Sequence, residues 1–105
     1  MGDVLEILKE TGLPFAYDHF AEGEAPEPPF ICYLIPESDN FSADGKAYKK
    51  FDQYHLEVYT DKKDIETEKK IEDILDEHEI YYDRTEVWIE SEHLYEVLYY
   101  FEMEA

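Results

Sequence analysis

Bases are scarce in this chain. Nine lysines and arginines stand against 28 aspartates and glutamates, a formal net charge of −19 over 105 residues. So few cations cannot build a basic patch that releases counterions from a phosphate backbone, so unaided binding to duplex DNA is disfavoured. Cysteine is rarer still. Cys32 stands alone, which excludes an internal disulfide and fits synthesis in a reducing cytoplasm. The four glycines lie far apart and leave no phosphate-cradling loop. No apolar run approaches the ~20 residues that span a bilayer. Residues 1–11, MGDVLEILKET, lack the basic start and apolar centre of a secretory signal.

What is present argues for a folded domain. Hydrophobic residues make up 44% and aromatics 16%, with ten tyrosines, too apolar for a disordered acidic tail. The length fits one domain, residues 1–105, with a core of its own. Charge is distributed unevenly. Residues 21–47 carry Glu22, Glu24, Glu27, Glu37, Asp39 and Asp44 against Lys46 alone. Seven of the nine bases fall between Lys46 and Lys70, and Arg84 is the only base after them. A solvated acidic surface explains such a pattern; so does a partner or pore that requires a negative face.

Periodicity predicts the elements. Residues 3–11 read as a short amphipathic helix stopped by Gly12 and Pro14. FAYDHF at 15–20 is a strand. AEGEAPEPPF then supplies three prolines and a glycine, predicting a flexible acidic loop over 21–29. FICYLI at 30–35 has no polar member and predicts a strand buried on both faces. A second flexible acidic loop is expected over 36–46, with Asp44-Gly45 as a tight-turn signal. YKKFDQYHLEVYT at 48–60 alternates Tyr54, Leu56 and Val58 against Gln53, His55 and Glu57. Asp64 is placed to cap a helix reaching about His78, with Ile65, Ile71, Ile74 and Leu75 as its apolar stripe and Glu66–Lys70 as an i,i+4 pair. Residues 80–89 form a strand. Residues 94–103 fit a helix with Leu94, Val97, Leu98 and Phe101 in line. They fit better a strand with Tyr95, Val97, Tyr99, Phe101 and Met103 on one face, closing a hairpin through residues 90–93. The resulting order α-β-β-β-α-β-β predicts an α+β fold: a mostly antiparallel five-stranded sheet with two helices on one side.

Chemistry-bearing motifs are absent from the pattern. His19, His55, His78 and His93 are scattered without metal-ligand spacing. ESDNFSADGK lacks the alternate oxygens and closing glutamate of a calcium loop. Cys32 with a distant histidine reads as a packed thiol before it reads as a nucleophile. No catalytic, cofactor or metal residue is assigned, and no enzymatic activity is expected. The ten tyrosines exceed what a small core holds, which leaves some for a protein partner.

Taken whole, GLPFAYDHFAEGEAPEPPFICYL, SDNFSADGKAYKKFDQYHLEVYTDKKD, EKKIEDILDEH and the ending WIESEHLYEVLYYFEM resemble the tail-completion, tail-terminator and head–tail joining proteins of long-tailed phages and prophages of Gram-positive bacteria. That resemblance implies a small α+β structural protein of the virion, made in the host cytoplasm. Its partners would be copies of itself, in a ring that is typically a hexamer, and the tail tube and connector proteins. It implies no cofactor, no sequence-specific contact with nucleic acid and no membrane. Glu22, Glu24, Glu27, Glu37, Asp39, Asp44, Lys46, Lys49 and Lys50 would be the interaction residues. Two other classes stay open: an acidic DNA mimic that occupies a host nucleic-acid enzyme, and a cytosolic adaptor. Lysines interspersed over 46–70 break the continuous phosphate-like track a mimic would need.

Overall fold

Strand β3 (Lys46–Thr60) is the spine of the molecule. A computed structural model describes the backbone of residues 3–21, 23–43 and 46–104, and the side chains of these except Asp3, residues 37–50 and Glu104. The other elements in chain order are α1 (Asp3–Thr11), β1 (Phe15–Tyr17), β2 (Phe30–Ala43), α2 (Ile65–Glu77), β4 (Tyr82–Ile89) and β5 (Leu94–Glu104). A 3₁₀ turn, Glu90–Glu92, joins the last two. The fold is α+β, in the chain order expected. In space the strands run β1-β2-β3-β5-β4. β1 pairs parallel with β2 while the remaining neighbours pair antiparallel, so the sheet is mixed.

The alternation in β3 decides the layering. Tyr54, Leu56 and Val58 face the helices, beside Ile31 of β2 and Val97, Tyr99 and Phe101 of β5. Val4, Ile7 and Leu8 of α1 and Ile71, Ile74 and Leu75 of α2 close this one core. Residues 94–103 are strand, with Val97, Tyr99 and Phe101 buried as the alternation predicts. Asp64 caps α2: its carboxylate accepts from the Thr67 N–H at 3.0 Å and from the Thr67 hydroxyl at 2.8 Å. Hydrogen bonding to the charged form holds the Asp64 carboxyl below its ordinary range. The far end of α2 closes as a Schellman turn. The Ile80 N–H donates to the Leu75 carbonyl at 3.0 Å and the Glu79 N–H to that of Asp76 at 2.9 Å, with Glu79 left-handed at φ 57.

Four expectations need correction. Residues 36–43 and Lys46 are not a loop: they extend β2 and β3 into a hairpin, paired from Glu37↔Gln53 to Ala43↔Lys46. Polar sequence is tolerated there because the paired strands satisfy each other's backbone groups. The Asp44-Gly45 turn signal lies outside the described residues. Ile65 does not join the apolar stripe. It opens the first turn of α2 and is 69% exposed. The i,i+4 ion pair on that helix is Lys69–Asp73 at 3.0 Å, three residues further along than Glu66–Lys70 and with the charges in the opposite order. Finally, 30–35 is buried on both faces only over its first half. Phe30 and Cys32, on the face away from the helices, are covered without a second layer, and Tyr33 to Ile35 are half-buried.

Candidate assembly surface

The β2–β3 hairpin outreaches the rest of the sheet. The last residue of β5, Glu104, pairs with Phe51, whereas β2 and β3 continue to pair as far as Ala43↔Lys46. Among the described residues the outer part of this hairpin has no third strand beside it. It is a two-stranded arm on a molecule measuring 50 × 29 × 22 Å. Lys46, Lys49 and Lys50 lie in its strands, and Glu37 and Asp39 lie in β2 just before it, opposite residues of β3 that also pair with β5. Asp44 lies outside the described residues.

The other acidic stretch sits at the opposite end of β2. Residues 21–29 form no helix or strand among the described residues, as expected, and Glu24 and Glu27 are exposed; Glu22 lies outside the described residues. The segment is not detached. Phe20 meets Phe30 edge-on at 5.4 Å between ring centres, and Phe30 stacks on Tyr59 at 5.2 Å. The Asp18 N–H, at a left-handed φ of 66, donates to the Tyr33 carbonyl at 2.8 Å. Counted along β2 at about 3.3 Å per residue, Glu37 and Asp39 lie roughly 23 and 30 Å from Phe30 at its start, and Ala43 at its far end roughly 40 Å. The seven of these residues that the structure describes therefore fall into two groups.

The sheet face away from the helices is open beyond Phe20. Gln53, His55, Glu57 and Tyr59 of β3 lie on it beside Cys32 and Leu34 of β2 and Glu96, Leu98 and Tyr100 of β5. At its covered end the Tyr59 hydroxyl lies 3.0 Å from the Glu57 carboxylate and 2.9 Å from that of Glu96. A phenol has one proton to donate, so two carboxylates compete for it. Burial raises the Glu57 carboxyl above its ordinary range, against the hydrogen bond from Tyr59, and Glu96 and Asp18 raise it further. Burial, then the neighbouring carboxylates, raise the Tyr59 hydroxyl too. The chemistry available to this trio is proton uptake. Cys32 beside it is pushed up to about 11 by burial and by the charges of Glu57, Asp18 and Glu96. A thiol held protonated at neutral pH is a poor nucleophile.

Compared with known proteins, the chain matches no family model and no curated protein. What can be said of its surface comes from the geometry.

The helix face carries another group of charges that sequence spacing did not reveal. Glu68 of α2 is buried, and its Oε1 accepts from the Arg84 Nη1 at 2.6 Å and the Lys63 ammonium at 3.0 Å. Its Oε2 has the same ammonium 2.8 Å away as charge partner. Lys63 also donates to Glu86 at 2.6 Å, and the Tyr95 hydroxyl donates to Glu86 at 2.7 Å. Hydrogen bonds to these glutamates hold the Lys63 ammonium above its ordinary value. The Tyr99 hydroxyl donates to Glu72 at 2.7 Å. The network fastens α2 across β5 and β4. Its two cations are exposed but already paired with carboxylates of the same molecule, Lys63 with Glu68 and Glu86 and Arg84 with Glu68. The signal in the sequence was Arg84, the single arginine, in a strand otherwise rich in acids.

Among the described residues no cluster of three or more histidines, cysteines or acids is placed to hold a metal. No helix among them is long and apolar enough to cross a membrane.

Proposed function

We propose that this chain is a structural subunit of a long-tailed phage or prophage, assembling as a ring at the tail end or head–tail junction. The observation that carries the reading is the arm. A two-stranded ribbon with no third strand or helix beneath it is marginal in water by itself, so a protein that builds one gains by laying it on another molecule. Head-to-tail rings need two different surfaces on each subunit. The arm at one end of β2 and the acidic, proline-rich segment at the other are two such surfaces. The charge of −19 serves the same role, since a negative lumen repels passing DNA. The family likeness read from the sequence points the same way, toward the virion, with tail tube and connector proteins as partners.

The test is complementation in a phage lacking its own copy. In one variant residues 39–50 are replaced by a two-residue turn, leaving the sheet body intact. In another, Glu22, Glu24 and Glu27 are reversed to lysine together. Both should fold, and both should leave heads and tails unjoined or tails of uncontrolled length in electron micrographs. Infectious particles in normal yield from the arm deletion would refute the reading.

A further inference from the structure

The two edges of the sheet are treated differently. At the β2 edge, β1 covers Ile31 to Tyr33, and the Tyr17 hydroxyl then accepts from the Ile35 N–H at 3.1 Å. A register shift follows between Leu34 and Glu37. Short cover strands, capping and bulges are devices that keep an edge from pairing further. The β4 edge has none of them. It pairs with β5 without a register shift from Tyr82↔Phe101 to Ile89↔Leu94 and contains no proline. Six successive residues along it, 83–88, are exposed. Val87, Trp88 and the adjacent Tyr81 are among the large apolar side chains left in solvent, and Ile65 stands exposed over the groove between α2 and β4. A regular, exposed, partly apolar edge is a template for another strand.

The sequence of β4 selects its occupant. We infer that β4 pairs antiparallel with β4 of a second copy, about a two-fold axis through Thr85, giving a continuous ten-stranded sheet. In that register Arg84 faces Glu86 of the other copy and Tyr82 faces Trp88, each twice, while Thr85 faces itself. Opposite charges and aromatic pairs directly across strands are the favourable combinations. Moving the axis to Arg84 or Glu86 sets like charges face to face. The register keeps Tyr82, Arg84, Glu86 and Trp88 on the helix side in both copies, as their pairing with Phe101, Tyr99, Val97 and Tyr95 requires. It also brings the partner's indole beside the groove of about 490 Å³ that Ile65, Tyr82 and Arg84 line. Two chains of charge −19 repel, so added salt strengthens the contact. This contact is isologous and does not depend on ring assembly.

Thr85 is exposed and sits on the axis, which makes the register testable at one position. Mass should be measured by sedimentation equilibrium at 0.15 M and 0.5 M salt for the parent, Thr85→Lys, Thr85→Asp and an equal mixture of the two. The parent should dimerise, more tightly at high salt. Each variant, folded by circular dichroism, should dimerise about tenfold more weakly or worse, because a like charge now faces its own copy. The mixture should recover the dimer as a heterodimer. Trp88, the single tryptophan, should shift its emission to the blue with concentration in the parent and in the mixture, but not in either variant alone. A parent that stays monomeric at high salt overturns the inference. So does a dimer or larger ring that both variants form as readily as the parent.

Discussion

Glu79 occupies a position built for glycine, and replacing it should stabilise the protein. It is the left-handed residue of the Schellman turn that ends α2, at φ 57. A side chain there costs roughly 1–2 kcal/mol. Glu79→Gly relieves that cost but adds conformational freedom to the unfolded chain, worth about 0.5–1 kcal/mol in the other direction. It also removes a negative charge from the C-terminal end of a helix that already carries Asp76 and Glu77 and has no base in its last turn. An acid at that end opposes the helix dipole by about 0.3–1 kcal/mol. The balance is a gain of about 1 kcal/mol, a rise of roughly 4–8 °C in Tm for a domain of this size. Calorimetry and urea unfolding should agree on it. Glu79→Ala is the control, since it removes the charge but keeps Cβ. It should gain only the dipole contribution, and that gain should fade in high salt. If Glu79→Gly is no more stable than Glu79→Ala, the backbone strain assigned to this turn is wrong.

Two further outcomes follow from the core and from the shared proton. Ile74→Asp puts a carboxylate into the apolar contact of α2 with the sheet, which should cost several kcal/mol, on the order of the whole stability of a small domain; a variant that melts like the parent would displace the helix. Glu57 binds its proton more tightly folded than unfolded, because its carboxyl is raised from an ordinary 4.5. Stability from this group is complete below that ordinary value and is lost as pH rises through the raised one. Asp64 acts oppositely: its carboxyl is lowered, so its contribution is present above the ordinary aspartate range and lost as pH falls through the folded value. Urea midpoints should therefore rise as pH falls from 7 toward 4.5 and drop again below about 4. Glu57→Gln should raise the midpoint at pH 7 and flatten the upper slope. An unchanged slope would remove Glu57 from the account.

The elements that could be read in the sequence are those whose burial imposes a period. β3 alternates because one of its faces meets two helices, α2 repeats because Ile71, Ile74 and Leu75 must face one way, and β5 alternates because Val97, Tyr99 and Phe101 enter the same core. The Asp64 cap was visible because capping is local chemistry. The arm was not. A ribbon paired only to itself needs no apolar face, and the stretch that leads into it is polar with Pro36 at its start, so the sequence there reads as a loop. The Glu68, Lys63 and Arg84 contacts join residues 5 and 16 positions apart, and no periodic pattern marks which of 28 acids will meet the lone arginine. The sharing of Tyr59 by Glu57 and Glu96 likewise depends on the register between β3 and β5.

The placement of the proline-rich acidic segment and the outer end of the arm at opposite ends of β2 has an electrical consequence. At physiological ionic strength a charge is screened within about 8 Å, a small fraction of the roughly 40 Å that a 14-residue strand spans. The ends of the molecule are thus mutually invisible. A substitution in residues 21–29 and one in the arm add without interacting, as distant sites do. One end can bind, be neutralised or change its charge while the other keeps its affinity. β2 works as an insulating spacer, and a subunit built on it can grip two neighbours whose demands on its charge conflict.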